Sequence, residues 1–121
     1  MTEKELQAAC EEILKADGVR YLHKNNSPRQ RTRKGTNCTM TGLPDLVIFY
    51  PAGRTVFVEL KVGTGLRESQ VEYIDYLADN GHSVFVVHSL EQFENINNRF
   101  SSRLGGLPPK VPTYLETREA K

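Results

Sequence analysis

The stretch GLPDLVIFYPAGRTVFVELKVG, Gly42 to Gly63, holds two apolar runs rich in β-branched and aromatic residues on either side of the turn signal PAGR. It reads as a β-hairpin. The near-continuous apolarity of both arms implies strands covered on both faces. Three charged residues interrupt that pattern: Asp45 at the outer end of one arm, Glu59 and Lys61 at the outer end of the other. With PAGR as the loop, Tyr50 pairs with Thr55 and Asp45 falls opposite Leu60, between Glu59 and Lys61. Glu59 and Lys61 are two apart and share a face. On a solvated edge such charges would form a cross-strand ion pair worth roughly 0.2–1 kcal/mol, and a lone Glu-x-Lys is ordinarily that. Between two buried strands, carboxylates must be paired or bound to a cation. Two carboxylates against one ammonium leave negative charge over, which a hard divalent cation such as Mg²⁺ or Mn²⁺ satisfies with oxygen ligands.

Working outward, Leu6, Ala9, Cys10, Ile13 and Leu14 recur at helical spacing behind Thr2 as N-cap, so residues 3–16 form an amphipathic helix that stops at Gly18. VRYLH is a short strand. A second amphipathic helix runs from about Arg67 to Asn80 with Val71, Ile74, Leu77 and Ala78 inward and Glu72, Asp75 and Asp79 outward; SVFVVHS is a buried strand; Leu90, Phe93, Ile96, Phe100 and Leu104 mark a last helix. GGLPPKVP then begins a tail expected to stay off the core. The order is αβββαβα, an α/β fold with a mixed sheet flanked by helices. At 121 residues the chain fits one domain, with residues 1–104 as its body and 105–121 as the tail.

Two helical residues face the apolar side against expectation for their type. Glu3 is the one glutamate of the first helix that turns inward, and Gln70 lies near the centre of the second helix's apolar stripe. A glutamine facing a core needs a polar partner.

Charge is near balance, at +1, but unevenly spread. No acidic residue occurs from Gly18 to Pro44, where Arg20, Lys24, Arg29, Arg31, Arg33 and Lys34 all fall. Such a block in a long polar loop, residues 24–44, suits contact with a polyanion. The loop has no interleaved aromatics for base stacking, which disfavours single strands. Cys10 and Cys38 have no CxxC or zinc spacing and imply neither a metal knuckle nor a disulfide framework. The charged N-terminus is unlike a signal peptide, and no apolar run is long enough to span a bilayer. These features lead to the expectation of a cytoplasmic or nucleoid-associated protein, in a bacterial or phage-infected cell, with no membrane partner.

The ordered set of TEKELQ at Thr2 to Gln7, GLPD at Gly42 to Asp45, ELK at Glu59 to Lys61 and GLRESQ at Gly65 to Gln70 resembles the VRR-NUC branch of the PD-(D/E)xK nuclease superfamily, in its small stand-alone, phage-like form. The resemblance runs from about residue 2 to residue 96. It implies a restriction-endonuclease-like core and a metal-dependent DNA endonuclease. Asp45, Glu59 and the Leu60 backbone carbonyl would bind Mg²⁺ or Mn²⁺, Lys61 would be the catalytic lysine, and Glu3 and Gln70 would support them, Glu3 directly or through water at the metal. Lys24, Arg29, Arg31, Arg33 and Lys34 would contact DNA on charge grounds alone. Small members resembling this branch would be expected to act as homodimers on branched double-stranded DNA, at four-way (Holliday) junctions. The alternatives are a monomeric flap nuclease, a catalytically idle nucleic-acid-binding module, and a small α/β adaptor that binds no metal.

Overall fold

The computed structural model describes residues 1–24, 42–101 and 111–119. Helix α1 (Glu3–Ala16) leads into strand β1 (Arg20–His23). Strands β2 (Leu46–Tyr50) and β3 (Arg54–Leu60) make the hairpin, followed by α2 (Glu68–Asp79), β4 (Ser83–Val87), α3 (Leu90–Phe100) and a short α4 (Tyr114–Glu119). Thr2 caps α1 reciprocally: its hydroxyl accepts from the Glu5 N–H at 3.1 Å, and its own N–H donates to the Glu5 carboxylate at 3.0 Å. The four strands lie in chain order, β1-β2-β3-β4. The first two pairings are antiparallel; β3 and β4 are parallel, joined through α2. The expected α/β class is realised, and the expected αβββαβα order is followed by one further helix, α4. No helix among the described residues is long and apolar enough to cross a membrane.

One face of the sheet carries the main core. Leu46, Ile48, Val56, Val58, Leu60, Phe85 and Val87 pack there under Leu6, Cys10 and Leu14 of α1 and Phe93 and Ile96 of α3. At the far edge of this face the buried Tyr50 hydroxyl donates to Asn97 Oδ1 at 3.0 Å, and Asn97 Nδ2 donates to Asp17 Oδ2 at 2.7 Å. Ile74, Leu77 and Val84 form a smaller cluster on the opposite face, joined by Phe57, Leu66, Val86 and Tyr114.

Three expectations are corrected. The hairpin closes one residue tighter than PAGR suggests: Tyr50 pairs with Arg54, not Thr55. The turn is Pro51–Gly53, closed because Ala52 (φ 64°) and Gly53 (φ 71°) both enter the left-handed region. Arg54 then joins the strand, its guanidinium donating to the Pro51 and Phe100 carbonyls at 3.1 and 2.9 Å. Second, β2 is not covered on both faces. Phe49 of β2 is 44% exposed, and on the same face Leu22 of the adjoining β1 is 61% exposed. Third, the C-terminal segment joins the body. Arg118 bridges Asp75 and Asp79 of α2 at 2.8 and 2.7 Å, and the Tyr114 hydroxyl donates to Asp75 at 2.8 Å. The last long helix ends at Phe100, and Leu104 lies outside the described residues.

Candidate active site

The corrected register changes which residues meet. Directly opposed residues share a face of a sheet, and extending the β2–β3 pairing one step past Leu46–Val58 sets Asp45 across from Glu59. The β1–β2 ladder also runs one step further, the Lys24 N–H donating to the Asp45 carbonyl at 2.9 Å. Lys24, Asp45 and Glu59 therefore form a row across three strands, on the face toward α2.

Each member is held. Asp45 Oδ2 accepts from the Leu60 N–H at 2.9 Å, fixing the carboxylate at the end of β3. The N–H and C=O of an extended residue point to the same side of its strand, so the Leu60 carbonyl turns toward Asp45 as well. Glu59 is 1% exposed. Its Oε1 accepts from Gln70 Nε2 at 3.1 Å, while Gln70 Oε1 accepts from the Arg67 N–H at 2.8 Å at the start of α2. That second bond fixes the amide's orientation, so its NH₂ must face Glu59. Gln70 thus has the polar partner its inward position requires. Gly42 brings the GLPD segment against this same helical turn: at φ 86° it lies so close that an added Cβ would strike the Ser69 carbonyl.

Glu59 Oε2 is buried without a hydrogen-bond partner among the described residues. Burial foremost, and then the adjacent Asp45 carboxyl, push the Glu59 pKa up to about 9, with Lys24 and Lys61 pulling the other way. An orphaned carboxylate oxygen beside a second carboxylate and a backbone carbonyl is a set of hard oxygen donors, and it fits Mg²⁺ or Mn²⁺. Among the described residues no three His, Cys, Asp or Glu side chains gather as a metal cluster.

Lys61 is buried at 6% exposure. Its N–H donates to the Val87 carbonyl at 2.9 Å, and His88 Nδ1 lies 3.1 Å from its own carbonyl. Among the described residues Glu59 and Lys61 do not pair as ions; the ion pairs seen there join Arg118 to Asp75 and Asp79. Glu3 stands apart from the Asp45–Glu59 pair. Its Oε2 accepts from the Val62 N–H at 3.4 Å, and it shares with Gln7, Glu11, His23, Lys24 and Asp45 the lining of a cleft of about 510 Å³. Arg29, Arg31, Arg33 and Lys34 lie outside the described residues. Reading the sequence alone missed two features: Lys24 in the carboxylate row, which needed the β1–β2 register, and His88 against the Lys61 carbonyl, for which no signal existed.

The model of the VRR-NUC domain family matches residues 2–91. The chain belongs to the VRR-NUC domain family. A solved structure described as a VRR_NUC domain is similar in fold, with a TM-score of 0.61 at 24% identity, covering 83% of this chain and 99% of the other. No curated protein matches the chain. The VRR-NUC family is nuclease-like, and the row of Asp45, Glu59 and Lys24 with Lys61 and Gln70 lies within the matched segment. Most of α3 and all of α4 fall beyond it.

Proposed function

We propose that this VRR-NUC chain is a Mg²⁺- or Mn²⁺-dependent, structure-selective DNA endonuclease that hydrolyses phosphodiester bonds. The observation that carries the reading is the buried, unpartnered Glu59 Oε2 beside Asp45. A cation held by Asp45, Glu59 and the Leu60 carbonyl, with Glu3 reaching it through water, would supply Lewis acidity to the phosphate and a lowered water pKa. The chain's own residues do the rest. Gln70 keeps Glu59 aimed, and Asp45 is fixed by the Leu60 N–H. Lys61 places a positive charge against the phosphoryl oxygens, where negative charge grows in the transition state. Strands position these groups more accurately than loops would. Arg29, Arg31, Arg33 and Lys34 would contact backbone phosphates without reading sequence.

Paired cuts in branched double-stranded DNA need two sites, and the described residues form one. A two-fold homodimer supplies both and matches the symmetry of a four-way junction. The test is a nicking assay with Mn²⁺ on a four-way junction, a single-flap substrate and linear duplex, with light scattering on the same sample. Paired nicks in the junction by a dimer are expected, and Asp45→Asn abolishes them. A monomer that prefers the flap substrate would replace the junction reading with the flap-nuclease one. Absence of cleavage with intact Mn²⁺ binding would leave an idle binding module.

A further inference from the structure

The sequence groups Lys24 with Arg29, Arg31, Arg33 and Lys34 as an anchor for DNA. The fold sets it elsewhere. Its backbone is part of the sheet, directly across from Asp45, and the row Lys24, Asp45, Glu59 occupies one face. Neighbouring strands lie roughly 5 Å apart, so the lysine stem starts one strand from Asp45 and two from Glu59. Lys24 is half-buried and lines the same cleft as Asp45 and Glu3. Among the described residues its ammonium makes no ion pair, and it donates to the Leu43 carbonyl at 3.3 Å. That bond is near the long limit for a hydrogen bond and is a weak tether. Lys61 reaches the site from the end of β3. The two ammoniums therefore flank the carboxylate pair from different strands.

Charge balance gives the second lysine a task. Two carboxylates and a divalent cation sum to zero, whereas a phosphodiester attacked by hydroxide carries two negative charges on its phosphoryl oxygens. One lysine matches the ground-state charge of the phosphodiester; two match the charge that builds up on the way to cleavage. We propose that Lys24 is a second catalytic cation of this site, its ammonium contacting the non-bridging oxygens of the scissile phosphate. The substrate in this assignment rests on the nuclease reading above. In the reaction a water oxygen bonds to phosphorus, the bond to the departing oxygen breaks with its electron pair, and that oxygen takes up a proton as water gives one up. Lys24 stays an ammonium throughout.

Lys24→Gln removes the charge and keeps a donor for the Leu43 carbonyl; Lys24→Met serves if the glutamine variant does not fold, and Lys24→Arg keeps the charge. Three measurements are compared with wild type: single-turnover cleavage, duplex affinity by fluorescence anisotropy, and calorimetric binding of thymidine 3′,5′-bisphosphate, all with Mn²⁺ except anisotropy, which uses Ca²⁺. Lys24→Gln is expected to cleave about 10²–10³-fold more slowly, the range for losing one donor to a developing oxyanion. Its duplex affinity should stay within about threefold because many other phosphates share that binding. Bisphosphate affinity should drop about tenfold, and Lys24→Arg should recover much of both losses. Wild-type cleavage rates with weakened duplex binding would return Lys24 to the anchoring group. Loss in Lys24→Arg as complete as in Lys24→Gln, with a lowered melting temperature in both, would make it a structural tether of Leu43. If wild type cleaves no DNA, the nuclease reading fails by itself, and equal bisphosphate binding by wild type and Lys24→Gln then overturns the lysine's assignment separately.

Discussion

Substituting Glu59→Gln tests the electrostatics of the metal-free site directly. The folded protein holds the Glu59 proton up to about pH 9, whereas the unfolded chain releases it near 4.5. Because the folded value is the higher one, its stabilising effect is complete below 4.5, declines as pH rises, and levels off above 9. The slope between is about 1.4 kcal/mol per pH unit. From pH 6 to pH 8 wild type in EDTA should therefore lose about 3 kcal/mol, or about 10 °C in melting temperature for a chain of this size. The amide variant has no proton to release. It can still accept from Gln70, and its NH₂ can donate to Asp45 as the protonated carboxyl would. It should melt at nearly the same temperature at both pH values and exceed wild type at pH 8. Circular dichroism melts in EDTA at pH 6, 7 and 8 measure the effect; parallel pH dependence in wild type and variant would refute the reasoning.

Mn²⁺ must displace that same proton, so calorimetry should show affinity rising with pH toward 9 and proton release on binding. Lys61→Ala should leave Mn²⁺ affinity nearly unchanged yet slow single-turnover cleavage about 10²–10³-fold, since a cation aimed at the transition state contributes differential binding; unchanged rates would make it a bystander. Gly42→Ala should cost about 2–4 kcal/mol, from a left-handed backbone and a Cβ against the Ser69 carbonyl, measured by urea unfolding. Neutralising Arg29, Arg31 and Arg33 together should weaken DNA binding alike across sequences and flatten its salt dependence, read by anisotropy in a salt series.

The hairpin and the three main helices were legible because each rests on local pattern: alternation, helical phase, turn residues. The grouping of Asp45, Glu59 and Gln70 came instead from the family resemblance. The register was not. PAGR looks like a four-residue loop, and nothing local announces that Ala52 will accept a positive φ while Arg54 is drawn into the strand by the Phe100 carbonyl, 46 residues away. The place of Lys24 depends on β1 pairing with β2 across a long intervening segment, so composition grouped it with its sequence neighbours instead. The C-terminal helix escaped for another reason. Asp75 and Asp79 read as a solvated face of α2, and only the fold reveals that Arg118 and Tyr114 come back to them.

The polar chain from Tyr50 through Asn97 to Asp17 lies at the opposite end of the hairpin from the carboxylates, yet it works as a guard against misalignment. A strand slipped by one residue exchanges its two faces. In such a state Tyr50 would leave the core, Asn97 would be left buried with an unmet acceptor, and Asp45 would turn away from Glu59. An unmet buried polar group costs about 1–3 kcal/mol, and here that penalty attaches to the very error that would dismantle the site. Asp17 and Asn97 are 80 residues apart in the chain, so the check can operate only once the two ends of the fold have met. Correct pairing of the carboxylates is thus guarded at a distance, by groups that take no part in the chemistry.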